Sequence, residues 1–142
     1  MELFFQLSNF LVIPFWALMI VFPYNQNTIK LVHSSVMFIP IALLYSVLVL
    51  PDFLTLLPEL ANPQLAVLQN LLSSAEGTIT AWIHFLAFDL FVGRWIFIDS
   101  TTKKFPRHIQ VLCLVATFMI GPFGLLLYIV IRRLRLGSFA LN

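Results

Sequence analysis

Charge is what this sequence has least of. Of its 142 residues, 10% are Asp, Glu, Lys or Arg, against about 25% in soluble domains. With a mean hydropathy of +0.98, that scarcity excludes a soluble globular protein and predicts an integral membrane chain, one domain over residues 1–142. Net charge is only +2. The basic residues stand in short groups beside apolar runs, which reads as headgroup anchoring and gives no surface for nucleic acid. Cysteine is nearly absent too. Cys113 alone excludes an intrachain disulfide, and no Cys/His cluster has zinc spacing, so Cys113 reads as a small buried hydrophobe. Internal repeats and low-complexity stretches are missing. The N-terminus lacks a basic n-region, so its first apolar run is expected to be a span of the mature protein and not a cleaved signal.

What is present is four apolar runs. Leu3–Phe22 carries no charge and spans about 30 Å at a helical rise, with Asn9, Pro14 and Trp16 inside it. Pro23 to Asn27 is a turn by composition. Leu31–Leu50 is the second run, with Lys30 and His33 at its entry, Pro40 in its middle and Tyr45 toward its exit. Pro51 to Ser74 is too polar and proline-rich to span. The spacing of Leu65, Leu68, Leu71 and Leu72 predicts an amphipathic connector between helices two and three. The third run, Glu76–Ile98, and the fourth, Ile109–Ile131, follow, the fourth interrupted by Gly121-Pro122. The expected fold is all-α, a four-helix membrane bundle. Four crossings return both termini to one side, so the three C-terminal arginines offset Lys30, Lys103, Lys104 and Arg107 across the bilayer, and the charge bias is slight.

The third run holds the candidate site. His84, Asp89 and Arg94 lie inside it, and ionisable groups at membrane depth are rare and face protein or water. Counting residues from the helix ends puts Asn9, Tyr45 and His84 in one layer, with the Gly121 break only slightly deeper. The same count puts Asp89 near Thr117 and the carbonyl that Pro122 frees on Phe118, and Arg94 near His33. At 100° per residue His84 and Arg94 share a face with Glu76, Thr80 and Trp95, while Asp89 points the other way with Thr78, Trp82 and Gly93. A bis-histidine haem is excluded by depth, since His33 and His84 fall about 15 Å apart along the normal. No His/carboxylate pair has i, i+3 or i+4 spacing, so no metal site is expected.

The third run, AWIHFLAFDLFVGRWIFIDS, resembles the abscisic-acid-deficient-four-like family of plants, algae and cyanobacteria. NFLVIPFW near the N-terminus, LMIVFP ending at Pro23, and Gly121-Pro122-Phe123-Gly124 carry the likeness along the chain. The resemblance implies a thylakoid or plasma membrane of a cyanobacterium, or a plastid membrane, and a carotenoid substrate or ligand without a further cofactor. It implies the neoxanthin-type isomerisation, in which an epoxide opens and a neighbouring polyene carbon loses a proton. Under that reading His84 transfers the proton, Asp89 orients it, and Arg94 anchors a ring hydroxyl, with Asn9, Trp16, Tyr45 and Trp82 as ligand contacts. The rival readings are a non-catalytic small subunit or assembly factor of a photosynthetic membrane complex, binding carotenoid or chlorophyll, and a carotenoid carrier.

Overall fold

A computed structural model of the chain describes residues 1–137; residues 138–142, the end of the expected domain, lie outside it. The described chain is all-α. In order, α1 covers Glu2–Val21, α2 Gln26–His33, α3 Ile39–Val49, α4 Phe53–Ala61, α5 Leu65–Ser73, α6 Ala75–Thr102 and α7 Arg107–Leu136. Four stretches are long and apolar enough to cross a membrane: Glu2–Val21, Ser35–Glu59, Ala75–Thr102 and Arg107–Leu136. The central helix is α6, which packs against α1, α2, α3, α5 and α7. Its buried side chains, Ile83, Leu90, Ile96 and Phe97, meet Trp16, Met19, Leu114 and Tyr128 in the core. The ring of Trp16 lies where a Cβ on Gly93 would be, so α1 and α6 approach closely at that point.

The second crossing starts later than residue 31. Lys30 and His33 belong to α2, which ends where Ser34 turns extended (ψ 143°) and accepts a 3.2 Å hydrogen bond from the Val36 amide. Pro40 therefore sits in the first turn of α3, where its missing N–H costs nothing, and not at a mid-span kink. A short 3₁₀ turn, Leu50–Asp52, carries the helix on into α4, which completes this crossing. Only α5 remains as the connector expected over 51–74. It lies on the start of α6, where the Thr78 hydroxyl donates to the Leu72 carbonyl at 2.5 Å. Ser74 caps α6 by accepting from the Gly77 amide at 3.0 Å.

The fourth apolar run is helical, but it does not cross. Ile120 (φ −141°, ψ 41°) and Gly121 (φ 17°, ψ −90°) break α7 into two limbs. A straight helix would carry Arg132 about 37 Å from Arg107. Instead the Arg132 Nε lies 2.7 Å from Asp99 Oδ2, beside the end of α6 from which α7 starts. Tyr128 donates to the same oxygen at 2.6 Å, and its ring meets both Trp95 and Phe105. A Cβ on Gly124 would fall on the backbone of Thr117, seven residues earlier, so the limbs touch directly. The run is a re-entrant hairpin. Each limb, 13 to 15 residues, is about 20 Å long, short of the roughly 30 Å hydrocarbon core.

This path changes the topology. The described C-terminal end lies with the 103–106 turn, opposite the N-terminus and not beside it. Arg132, Arg133 and Arg135 join Lys30, Lys103, Lys104 and Arg107 at one end of the bundle, while Glu2, Asp52, Glu59 and Glu76 lie toward the other. The charge bias, slight for four crossings, becomes complete, and the positive-inside rule directs the basic end to the cytoplasm or its organellar equivalent. In a Cys113→Ser background, single cysteines at Glu2 and at Gly137 are expected to react with an impermeant maleimide from opposite faces of sealed vesicles; four full crossings demand the same face. Asp99→Asn removes the negative charge that Arg132 and Tyr128 share and is expected to cost about 3 kcal/mol, read as an earlier thermal loss of helicity in detergent.

Candidate functional site

Each flank of α6 presents a different one of the expected site residues. Toward α3, His84 lies on the outer face, exposed from the bundle. Its ring stacks on Phe88 at 4.6 Å, meets Phe85 edge-on at 6.3 Å, and lies 5.7 Å from the ring of half-buried Tyr45. Two groups able to give and take protons thus share one depth, as residue counting from the helix ends expects. Asn9 does not complete that layer. Its amide donates back to the Phe5 carbonyl of its own helix at 2.8 Å.

Toward α7, Asp89 sits at the hairpin turn. Its carboxylate occupies the space where a Cβ on Gly121 would stand. Among the described residues, nothing hydrogen-bonds to that carboxylate. The turn also starts the second limb, whose first amides have no helical partner and carry the positive end of the helix dipole. His84 and Asp89 therefore belong to separate environments, on opposite flanks of one helix.

Toward α2, Arg94 reaches the last carbonyls of that helix, which lack helical donors. Its Nε donates to Val32 O at 2.6 Å and a terminal nitrogen to His33 O at 3.0 Å, and the guanidinium rests over Phe38 at 5.7 Å. Charge-assisted bonds of this kind fix α2 against α6.

The two indoles differ. Trp16 is 2% exposed and packs on Phe118 at 5.3 Å between ring centroids, deep in the core. Trp82 is 39% exposed and tilts against Phe5 at 5.9 Å. Trp82, Phe5, Leu72, Ile79 and Phe85 line a groove of about 260 Å³ beneath α5, on the acidic end of the bundle and next to His84 in sequence. It is lined almost wholly by carbon and suits a hydrocarbon ring. No three His, Cys, Asp or Glu side chains converge for a metal among the described residues.

Asp99, Tyr128 and Arg132 form a polar cluster that ties the second limb of α7 to α6, and reading the sequence run by run misses it. Asp99 ends one run and Arg132 follows another, so helix counting sets them on opposite faces. The signal was the Gly-Pro break with some 15 residues on either side, too few for a crossing each.

At the turn, Gly121→Ala pushes a methyl into the Asp89 carboxylate. The expected loss is about 1–3 kcal/mol, with at least half recovered in Gly121→Ala/Asp89→Ala. Additive losses in that double-mutant cycle, measured by thermal melting, contradict the contact.

Comparison with known proteins agrees with the likeness carried by the third run. The family described as ABA DEFICIENT 4-like matches residues 3–128, a range that includes α6, the hairpin turn and Tyr128. The chain is 31% identical over 121 residues to Protein ABA DEFICIENT 4, chloroplastic, of Arabidopsis thaliana, an alignment covering 78% of this chain and 54% of that protein. The chain thus spans about half the length of that curated relative. No solved structure matches it. A match over nearly the whole bundle, with the relative's identity beside it, places the chain in the ABA DEFICIENT 4-like family.

Proposed function

We propose that this chain acts in carotenoid metabolism, as an isomerase that opens an epoxy-xanthophyll to an allene in the manner of neoxanthin synthesis. The setting is a thylakoid or plastid-type membrane. The observation that carries the reading is the His84–Tyr45 pair, held at one depth on a flank open to the bilayer. Family membership supplies the substrate class.

The chemistry needs one proton removed and one delivered. The epoxide C–O bond next to the polyene breaks. The adjacent polyene carbon loses its proton, and the electron pair of that C–H bond becomes the second double bond of the allene. The oxygen stays on the other ring carbon, takes a proton and becomes a tertiary alcohol. Nothing is oxidised or reduced. Acid and base must each come within hydrogen-bond reach of atoms only a few ångströms apart.

His84 and Tyr45 meet that demand, and His84 with Asp89 does not, because five residues turn α6 through about 140°. The imidazole of His84 serves as base toward the polyene carbon, and the Tyr45 hydroxyl donates to the epoxide oxygen. Phe85 and Phe88 flank the imidazole, giving the polyene apolar contact as it enters sideways from the lipid. Asp89 and Arg94 act here as positioning residues, one at the hairpin turn and one at the end of α2.

The test supplies violaxanthin to membranes of a bacterium expressing the whole chain and separates the pigments by chromatography. Wild type is expected to form the allenic product. His84→Ala loses about 10²–10⁴-fold in rate and Tyr45→Phe about 10²-fold, the range for removing one acid–base group, while Asp89→Asn stays within tenfold. Wild-type turnover by His84→Ala contradicts the assignment. Pigment held by the wild-type chain without turnover favours the rival, a non-catalytic carotenoid- or chlorophyll-binding subunit of a photosynthetic complex.

A further inference from the structure

We infer that the basic end of the bundle, where the 103–106 turn meets the returning limb of α7, is a binding surface for anionic lipid headgroups. The hairpin builds it. Lys103, Lys104 and Arg107 lie in the turn and at the start of the first limb, and Arg133 and Arg135 at the end of the second. The fold-back superposes the two groups: the Arg135 guanidinium rests 5.0 Å over the ring of Phe105, between Lys104 and Arg107 in sequence. Lys104, Arg107 and Arg135 are exposed. At this end Asp99 is the one acid among the described residues, and Arg132 and Tyr128 already occupy it.

Position identifies the ligand. An Arg107 nitrogen donates to Val21 O, the last residue of α1, at 3.1 Å, so the cluster rims the ends of three apolar helices. That is the level of lipid headgroups and not of a soluble partner. The acidic groups Glu2, Asp52, Glu59 and Glu76 lie toward the opposite end, with no Lys or Arg among them, so the preference is confined to one leaflet. Basic residues at a membrane surface each contribute about fivefold in affinity for anionic lipid, or about 1 kcal/mol.

Native mass spectrometry of the purified full chain, released from micelles carrying phosphatidylglycerol and phosphatidylcholine in equal amounts, reads the preference. Wild type is expected to retain phosphatidylglycerol, and Lys104→Gln/Arg135→Gln to lose the preference about 25-fold, two charges at fivefold each. The charge-keeping Lys104→Arg/Arg135→Lys retains it, as does Glu59→Gln/Glu76→Gln at the other end. Helicity and melting temperature confirm that each variant is folded. Equal retention of the two lipids by wild type, or an unchanged preference in the folded Gln variant, overturns the proposal. So does displacement of the lipid by inorganic phosphate, which would make the surface a free-anion site.

Discussion

A helix broken inside a bilayer leaves amides and carbonyls that lipid cannot satisfy, and the break must be covered by protein. In this chain the break at Ile120–Gly121 is met by α6, whose Asp89 carboxylate fills the place of the missing Gly121 side chain. The far ends of the two limbs are tied to α6 again: Gln110 donates to Ser100 and Thr101 at 2.8 and 3.0 Å, and Arg132 and Tyr128 share Asp99. Contact at the tip and at the base holds the hairpin as one unit. The sidedness of the C-terminal end, the gathering of the basic residues and the closing of the core around Leu114 and Tyr128 follow from it.

The central helix thereby divides its polar residues among different tasks. Arg94 completes α2, Asp89 backs the hairpin turn, and Asp99 locks the base. Each has a partner or neighbour on another element that accounts for its presence at membrane depth. His84 is different. Its neighbours are aromatic rings, it faces outward, and the hydroxyl-bearing ring beside it comes from α3. An ionisable group on an outer face stabilises no helix contact that an apolar residue would not serve as well. That contrast, more than polarity alone, is why the proposed chemistry is centred on His84.

Much of this was legible in the sequence, and the largest failure has one cause, the reversal of α7. Apolar runs and caps showed where helices lie, and depth counting brought Arg94 to His33 and Tyr45 to His84, but it set the Gly121 break in the His84 layer and not against Asp89, where it lies. Those two pairings survive because they join α6 to α2 and α3 and do not depend on the path of α7. Beyond Gly121 the count ran on in the wrong direction. Arg132 fell at the wrong end, and the Asp99 pair stayed hidden. Hydropathy is blind to chain reversal, since both limbs are apolar and together have a crossing's length. Asn9 fell short for another reason: a short amide can reach its own helix's Phe5 carbonyl, and depth does not choose between partners. The shift of the second crossing is local in origin, since Ser34 ends α2 one residue after His33.

The hairpin is most directly tested by a distance. Nitroxide labels at His108 and Leu134, both exposed positions near the limb ends, can be measured in detergent or lipid by double electron–electron resonance. A hairpin predicts a narrow distribution near or below about 20 Å, two packed helices plus label arms. A continuous helix sets these positions 26 residues, about 39 Å, apart along its axis. A dominant peak near 40 Å would contradict the fold-back, and with it the one-sided basic surface and the placement of Asp99.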